Sequence, residues 1–304
     1  MHNLDLDSLN ARFGIAGQLY FERGPSDFAI IQVRNVHGAA TLTLQGAQLL
    51  TWTPSGHRPV VWMSPHAKYQ VGKSVRGGVP ICWPWFGAHG SESGFPAHGF
   101  ARSSCWEVCS TKALGDGATS LTLRLIRNDD HNAYWPYSTP LELDVVVGGD
   151  LVMELRTRNL SAVPVTIGQA LHTYFEVSDI RHVSVLGLDG TRYLDKVDGG
   201  KEKPQSGAVT FSGETDRVYL DTDADCIIDD PGLSRRIVVR KQGSRSTVVW
   251  NPWIEKAAKL GDMGDAGYLN MLCVESCNAA DDVLVLKPGD QHVLAVNYSV
   301  ETVG

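Results

Sequence analysis

The feature that most constrains the fold is a two-residue alternation of apolar and polar side chains that recurs along the chain. It is clean in residues 121–125 and 141–145. Successive side chains of a strand point to opposite faces of a sheet, so this period predicts half-buried strands of an antiparallel sheet. Helical patterns are scarce, and strands do not alternate with helices as in βαβ units. The sequence therefore predicts an all-β fold, a large antiparallel sandwich with few short helices.

Two hairpins are predicted where turn residues separate apolar runs. The first spans residues 145–155 around Gly148-Gly149-Asp150, because glycine supplies the positive φ of a tight turn. The second spans residues 283–296 around Lys287-Pro288-Gly289-Asp290, an order of residues that suits a type II turn.

The remaining elements are short. One helix is predicted at Trp253–Leu260, with Asn251 and Pro252 at its start and Gly261 at its end. The polar residues 198–207 are predicted to form one long loop. No repeat or linker divides the chain, so residues 1–304 are predicted to form one domain. Further strands are predicted at residues 29–33, 41–44, 60–63, 165–167, 183–186, 237–239 and 248–250.

Charge and hydropathy limit the partners of the protein. A net charge of −7 argues against a general nucleic-acid or anionic-membrane surface, although it allows a local basic pocket. No apolar run is long enough for a membrane helix, and residues 1–7 lack the basic start and apolar run of a signal peptide. The expected protein is cytoplasmic and acts on a small molecule. A monomer is compatible with the sequence, which does not specify the oligomeric state.

The six cysteines include no Cys-x-x-Cys pair and are expected to be reduced thiols. The pairs Cys105/Cys109 and Cys273/Cys277 are loosely spaced for zinc and lie in strand-like sequence, so they do not predict a zinc site. Nucleotide-binding glycine loops, a Gly-x-Ser-x-Gly turn and a His-Glu-x-x-His helix are absent from the sequence. No cofactor and no metal are therefore predicted.

Glycine, proline and tryptophan are unusually dense in residues 75–87, and residues 95–102 are also rich in glycine, proline and aromatic residues. This composition does not suit a regular strand. It predicts a rigid, irregular segment that brings backbone and aromatic side chains close to a flat ligand such as a sugar. The alternative is that Trp83 and Trp85 fill the core and that the glycines form turns.

Four polar residues are weak candidates when each is taken alone. Arg76 and Arg102 suit phosphate oxygens, but a single arginine is more often a surface residue or part of an ion pair. His98 is more often a histidine bonded to backbone. Asp216 could form an internal ion pair with its neighbour Arg217.

Two further residues are stronger candidates because they are polar groups inside apolar runs. His172 lies in a strand-like run, and a buried imidazole requires partners or a task. Glu275 has apolar neighbours, and glutamate is almost never buried without a partner or a function.

Six segments together resemble the aldose 1-epimerase family, in particular its hexose-6-phosphate mutarotase branch. They occur in matching order over most of the chain, at residues 76–87, 98–102, 172–175, 216–219, 250–253 and 274–278. The resemblance implies a galactose-mutarotase-like β-supersandwich of antiparallel strands. It further implies a sugar-phosphate substrate, glucose 6-phosphate first, whose α and β anomers are interconverted.

The resemblance also implies a role for each candidate residue. The catalytic base would be Glu275 and the acid His172, with His98 and Asp216 holding sugar oxygens. The 6-phosphate would be held by Arg76 and Arg102. Ring opening then needs an ionised Glu275 and a protonated His172, and a neighbouring carboxylate is expected to raise the pKa of the histidine.

Three other functions remain open from the sequence. A mutarotase of free sugars such as galactose would use the same pair, and the two arginines favour a phosphorylated substrate over it. A non-catalytic carbohydrate-binding β-sandwich would account for Trp83 and Trp85 but would leave His172 and Glu275 without a role. A glycoside hydrolase usually has two carboxylates, whereas the acid candidate here is a histidine.

Overall fold

A computed structural model describes residues 4–303 of the chain. Residues 1–3, part of the N-terminal stretch considered above, and Gly304 lie outside the described residues. The strands of residues 4–303 are, in chain order, β1 (Leu19–Arg23), β2 (Ala29–Asn35), β3 (Gly38–Thr43), β4 (Gln48–Pro54), β5 (Ile81–Cys82), β6 (Trp106–Ala113), β7 (Thr119–Leu125), β8 (Leu141–Val147), β9 (Leu151–Arg158), β10 (Val165–Ile167), β11 (Gln169–Leu171), β12 (Tyr174–Glu176), β13 (Ser184–Leu186), β14 (Arg192–Asp195), β15 (Lys201–Pro204), β16 (Thr215–Tyr219), β17 (Cys226–Asp230), β18 (Arg235–Gln242), β19 (Ser246–Asn251), β20 (Met271–Asn278), β21 (Leu284–Leu286) and β22 (Gln291–Thr302).

Helices are few and short. They are α1 (Leu6–Phe13), α2 (Asp129–Tyr134) and α3 (Trp253–Leu260), and none of them could cross a membrane within the part of the chain that the structure describes. The prediction of α3 is confirmed, and its ends follow the expected chemistry. The Asn251 side chain accepts a hydrogen bond from the Trp253 N–H at 2.9 Å, and Gly261 ends the helix at φ 67°.

Two eight-stranded antiparallel sheets form the body of the fold. The site sheet has the order β15-β14-β16-β19-β20-β11-β5, with β12 also paired to β20. The back sheet has the order β13-β17-β18-β22-β9-β8-β7-β6. A four-stranded sheet, β1-β2-β3-β4, and the small sheet β10-β21 are added to this pair. The predicted all-β antiparallel class is confirmed.

The main core lies between the site sheet and the back sheet. Phe175 of β12 contacts Tyr298 of β22 with ring centroids 5.1 Å apart, and the Thr173 hydroxyl lies 2.6 Å from the Tyr298 hydroxyl. Leu272 and Val274 of β20 are fully buried in the same cluster. One face of β20 is therefore committed to the core, and by the two-residue period its other face points away from the back sheet. The one-domain organisation stays a prediction.

The local predictions fared unevenly. The hairpin of residues 145–155 is confirmed, because Val147 of β8 pairs with Leu151 of β9. Predicted strands at residues 29–33, 165–167, 237–239 and 248–250 lie within β2, β10, β18 and β19, while 41–44 and 183–186 overlap β3 and β13. Residues 60–63 were predicted wrongly as a strand, since Val61 and Met63 form only isolated bridges in the described structure.

The second predicted hairpin is wrong, although its turn is present. The Asp290 N–H donates to the Lys287 carbonyl oxygen at 3.0 Å. However, β21 pairs with β10, whereas β22 pairs with β18 and β9. Asn159 separates the two strands, because its N–H donates to the Asp290 carbonyl oxygen and its carbonyl accepts from Gly289. The loop prediction for residues 198–207 is also wrong, since β15 lies within it and pairs with β14.

The core beneath β20 predicts a large stability cost for truncation there. Leu272→Ala removes a fully buried side chain that pairs with Phe175, and it should lower the free energy of unfolding by about 2–5 kcal/mol. Val285→Ala on β21 is the control, because Val285 is 64% exposed and its truncation should change stability by less than about 0.5 kcal/mol. Urea denaturation of both variants checks this, and equal effects would contradict the assignment of the core face.

Candidate active site

The register of three strands brings the two strongest candidates together. Leu171 of β11 pairs with Ser276, and Tyr174 of β12 pairs with Cys273, in one continuous register along β20. His172 lies between these pairs and therefore opposite Glu275. The Nε2 atom of His172 is 3.3 Å from the Oε1 atom of Glu275. The antiparallel pairing thus makes the two residues cross-strand neighbours on the face of the sheet that points away from the core.

The same face collects other candidate residues across the sheet. Val248 of β19 pairs with Glu275, and Trp250 pairs with Cys273 on one side and with Asp216 of β16 on the other. Directly opposite residues share a face, and Cys273 and Glu275 are two residues apart on β20, so Asp216 and Trp250 lie on the same face of the sheet as Glu275. The two-residue period that predicted the strands therefore also builds the site.

All six predicted site residues line one cavity of about 370 Å³. His172, Asp216 and Glu275 lie on or beside strands of the site sheet, whereas Arg76, His98 and Arg102 come from segments outside its strands. The full lining is Arg76, Phe86, Gly87, His98, Arg102, His172, Tyr174, Lys196, Asp216, Val218, Val248, Trp250, Lys256 and Glu275. The structure brings the candidates together, and their individual roles stay predictions.

Burial sets the protonation of the central pair. The side chain of Glu275 is 1% exposed and that of His172 is 12% exposed. Burial, reinforced by the charge of Asp216, raises the pKa of Glu275 well above its usual range. Burial, together with the electrostatic influence of the neighbouring His98 and Arg102, lowers the pKa of His172 well below its usual range. Both groups therefore favour their neutral forms.

This result corrects one expectation. The carboxylate of Glu275 was expected to raise the pKa of His172, but that pKa is lowered by burial, by His98 and by the nearby arginines, and Glu275 itself favours its uncharged form. In either state, a neutral imidazole beside a protonated carboxyl group or an imidazolium beside a carboxylate, the pair has one proton that can move between Nε2 of His172 and Oε1 of Glu275. The two arrangements are tautomers across a 3.3 Å contact, so the pair retains both a proton to give and a site that accepts one.

His98 is fixed by its backbone in a rare conformation. Its φ of 64° lies in the left-handed region, which is uncommon for a residue with a side chain. Its N–H donates to the Gly87 carbonyl oxygen at 2.7 Å, and its Nδ1 atom accepts from the Gly87 N–H at 3.3 Å. Burial and the charges of Arg102 and Arg76 lower the pKa of His98 to about 3. His98 is thus neutral, with Nδ1 engaged and Nε2 carrying the proton.

The two arginines border the cavity in different ways. Arg76 is held by two residues, because its Nε donates to Asp262 and its NH1 group to the Tyr174 hydroxyl, each at 3.0 Å. Arg102 donates to the Ala97 carbonyl oxygen at 2.8 Å. Both arginines also line an adjoining cavity of about 300 Å³ that contains Lys68 and Lys73. The structure therefore places four cationic side chains at this end of the site.

Asp216 has a cationic neighbour of its own. Lys256 of α3 lies with its Nζ 3.7 Å from an Asp216 carboxylate oxygen and 2.7 Å from Glu214. Burial raises the pKa of Asp216, and the charge of Lys256 opposes that effect. The carboxyl group of Asp216 is available to a hydroxyl-bearing ligand in the cavity.

Two glycines of the glycine-rich segment, Gly77 and Gly78, pack closely against protein backbone, whereas Phe86 and Gly87 at its end line the cavity. A Cβ atom on Gly77 would lie 2.6 Å from the Trp62 carbonyl oxygen, and one on Gly78 would lie 2.3 Å from that of Leu49. The core-filling interpretation is correct for Trp83 and Trp85, which are 0% and 9% exposed. Their burial removes the main argument for a sugar-binding module built on those rings.

Several lining residues were missed by the sequence analysis. Tyr174 stacks on His172 with ring centroids 5.1 Å apart, and its signal was present, since it lies two residues from His172 on the same strand face. Lys196, Lys256 and Asp262 carry no local pattern and reach the site only through tertiary packing.

The floor of the site also offers donors to a metal ion. One atom each of His172, Cys273 and Glu275 lies within 4.8 Å of the other two. Cys273 does not line the cavity and is fully buried beside Tyr174 and Trp250.

Comparison with known proteins identifies the family to which this sequence is similar. Residues 29–299 match the family model described as aldose 1-epimerase. The chain is 38% identical over 265 residues to a protein of Escherichia coli named "Putative glucose-6-phosphate 1-epimerase", which covers 87% of this chain and 88% of that protein.

Solved structures support the same fold. The crystal structure of a "putative mutarotase (YeaD)" from Salmonella typhimurium superposes with a TM-score of 0.88 at 34% identity, over 97% of this chain and 99% of that one. A galactose mutarotase-like protein from Clostridium acetobutylicum, 14% identical, shares the fold with a TM-score of 0.69 over 93% and 98% of the two chains. The predicted galactose-mutarotase-like fold is confirmed.

The environment of His172 predicts its charge. Its imidazole should be neutral at pH 6.5, the ordinary pKa of histidine, because burial and Arg102 both disfavour the cation. Arg102→Ala should raise the pKa of His172, since it removes one of the charges that lowers it. Arg181→Ala, at an exposed arginine paired with Asp179, is the matched control and should leave it unchanged. Nitrogen NMR of the imidazole measures all three proteins, and an imidazolium at His172 in the unmodified protein at pH 6.5 would refute this electrostatic picture.

Proposed function

The chain belongs to the aldose 1-epimerase family, and on that premise we propose that it interconverts the α and β anomers of a hexose 6-phosphate, glucose 6-phosphate first. The observation that carries the proposal is the 3.3 Å contact between His172 and Glu275 inside a cavity bordered by Arg76 and Arg102. An acid–base pair accounts for the reaction, and a cationic end accounts for the phosphate. The E. coli relative bears the name of the same reaction.

The reaction needs one proton removed and one delivered. In the proposed mechanism Glu275 accepts the proton of the O1 hydroxyl, and His172 donates a proton to the ring oxygen. The C1–O5 bond breaks as C1 becomes the carbonyl carbon of the open-chain aldehyde. Rotation about C1–C2 presents the other carbonyl face, and ring closure returns both protons. The pair ends with the single proton it began with.

The remaining lining residues have supporting roles in this proposal. His98 presents an N–H at Nε2, and Asp216 presents a carboxyl group, so the two can bind sugar hydroxyls as donor and acceptor. Arg102 and the paired Arg76 would bind the 6-phosphate. Phe86 and Trp250 offer apolar surface to the C–H faces of the ring.

The first test removes the proposed base. Glu275→Gln keeps the shape of the side chain and removes proton acceptance, so anomer exchange should fall by roughly 10²–10⁴ with little change in thermal midpoint. NMR saturation transfer between the anomers of glucose 6-phosphate measures the rate. Glu154→Gln on β9 is the control, because that carboxylate is 41% exposed in the back sheet and should not affect exchange. A stable Glu275→Gln protein with the exchange rate of the unmodified enzyme would remove the proposed mechanism.

The second test addresses the substrate. Arg102→Ala deletes one charge-assisted contact worth about 1.5–3 kcal/mol, so KM for glucose 6-phosphate should rise about ten- to a hundredfold. Exchange of free glucose should scarcely change, because free glucose has no phosphate. Arg181→Ala again serves as the exposed control.

One observation keeps the free-sugar alternative in view. Arg76 already donates hydrogen bonds to Asp262 and Tyr174. An arginine with a purely structural role would make the same bonds. If Arg102→Ala and Arg76→Ala weaken free and phosphorylated sugars equally, the arginines are structural. A mutarotase of free sugars such as galactose then becomes the better assignment.

A further inference from the structure

The acid–base pair has the spacing of two ligands on one metal ion. The His172 Nε2 and Glu275 Oε1 atoms are 3.3 Å apart. Two ligands held at about 2.0–2.1 Å by a tetrahedral Zn²⁺ are separated by about 3.3–3.4 Å. No movement of these two atoms relative to each other is needed for them to bind one ion together.

A third ligand lies on the same strand face. Cys273 precedes Glu275 by two residues in β20, so its Sγ is directed to the same side of the sheet. The three ligand atoms lie within 4.8 Å of one another, and a zinc-bound thiolate would lie about 3.6 Å from its fellow ligands. An adjustment of about 1 Å completes a His-Cys-Glu set, and water can occupy the fourth position.

A second observation points to an ion at this place. The Oε2 atom of Glu275 and the Nδ1 atom of His172 are buried and have no hydrogen-bond partner among residues 4–303. Glu275 is 1% exposed, so its second oxygen is an unsatisfied acceptor beside the ligand cluster. Oε2 belongs to the same carboxylate as the ligand atom Oε1, so a divalent cation bound at Oε1 would also interact favourably with this unpaired oxygen.

The surroundings indicate reversible binding rather than a resident metal. A histidine that holds a permanent metal normally donates its other ring N–H to a carboxylate or carbonyl, which fixes the ring and strengthens the bond. No such acceptor contacts Nδ1 of His172 in the described structure. The cationic side chains Arg76 and Arg102 also line the cavity, and their charges oppose a cation.

We propose that Zn²⁺ binds reversibly to His172, Cys273 and Glu275 and inhibits the protein by occupying its acid–base pair. On coordination the Cys273 thiol releases its proton to solvent, and so does the His172–Glu275 pair, whose one shared proton is displaced. A thiolate, a neutral imidazole and a carboxylate then each provide a lone pair to the ion. Binding stands on the geometry alone, whereas inhibition rests on the proposed epimerase function.

The binding test uses untagged, chelator-treated protein. Calorimetric titration with Zn²⁺ should show one site per chain, and Co²⁺ in its place should give a thiolate-to-metal charge-transfer band. Cys273→Ala should weaken Zn²⁺ binding by at least about ten- to a hundredfold and abolish the cobalt band. The matched control is Cys277→Ala, which removes an equally buried thiol from the same strand that contacts Ser246 instead of the cluster. It should retain both signals.

The inhibition test measures glucose 6-phosphate exchange relative to the metal-free rate of each protein. Zn²⁺ should inhibit the unmodified protein and Cys277→Ala, and inhibition should lessen as the sugar concentration rises. Mg²⁺ should not inhibit, because it prefers oxygen ligands and avoids a thiolate.

The outcomes separate the two proposals. Zinc binding without any epimerase activity would contradict the proposed function and still support the metal site. An active enzyme that binds no zinc, or a Cys273→Ala variant that binds it as tightly as before, would overturn the metal site alone. If Cys273→Ala does not fold, Cys273→Ser replaces it, and loss of the cobalt band decides the same point.

Discussion

The candidate site depends on one cross-strand contact, that between His172 and Glu275 across β11–β12 and β20. Each of the two side chains has one buried polar atom without a hydrogen-bond partner among residues 4–303, and an unsatisfied group of this kind costs about 1–3 kcal/mol. The hydrophobic contacts of the opposite face of the same strands offset that cost, because Leu272, Val274 and Phe175 are fully buried against the back sheet there. The core therefore holds rigid a pair that the site alone would not stabilise.

The period of the strands explains both how much could be predicted and why. Alternation in the sequence identified β7, β8 and the hairpin to β9, because one face of each is buried and the other is not. It could not tell which strands pair when they are distant in sequence. The turn at residues 287–290 looked like a hairpin, yet it hydrogen-bonds to Asn159, more than 120 residues earlier in the chain, and its two flanking strands lie in different sheets. Partner choice is a tertiary property and leaves little local trace.

The candidate site shows the same division. Residues embedded in a strand pattern, such as His172 and Glu275, could be found because a polar group among apolar neighbours breaks the pattern. Lys196 and Lys256 could not be found in this way, because a lysine among polar surface residues does not interrupt any hydrophobic pattern. Protonation was also beyond the sequence, since the pKa of His172 depends on the burial and arginine charges that only folding brings together.

Those arginine charges link the two ends of the cavity. Arg102 and Arg76 help to lower the pKa of His172, after burial and the influence of His98. A phosphate dianion bound between them would offset their charge and so favour the imidazolium that the proposed acid requires. A sugar without a phosphate group would not offset the charge of the two arginines. In this arrangement the phosphate would do more than anchor the substrate, because its binding would shift the shared proton from Glu275 to His172. Binding energy from a group remote from C1 would then lower the barrier to ring opening as well as KM, which is how a distant contact contributes to kcat.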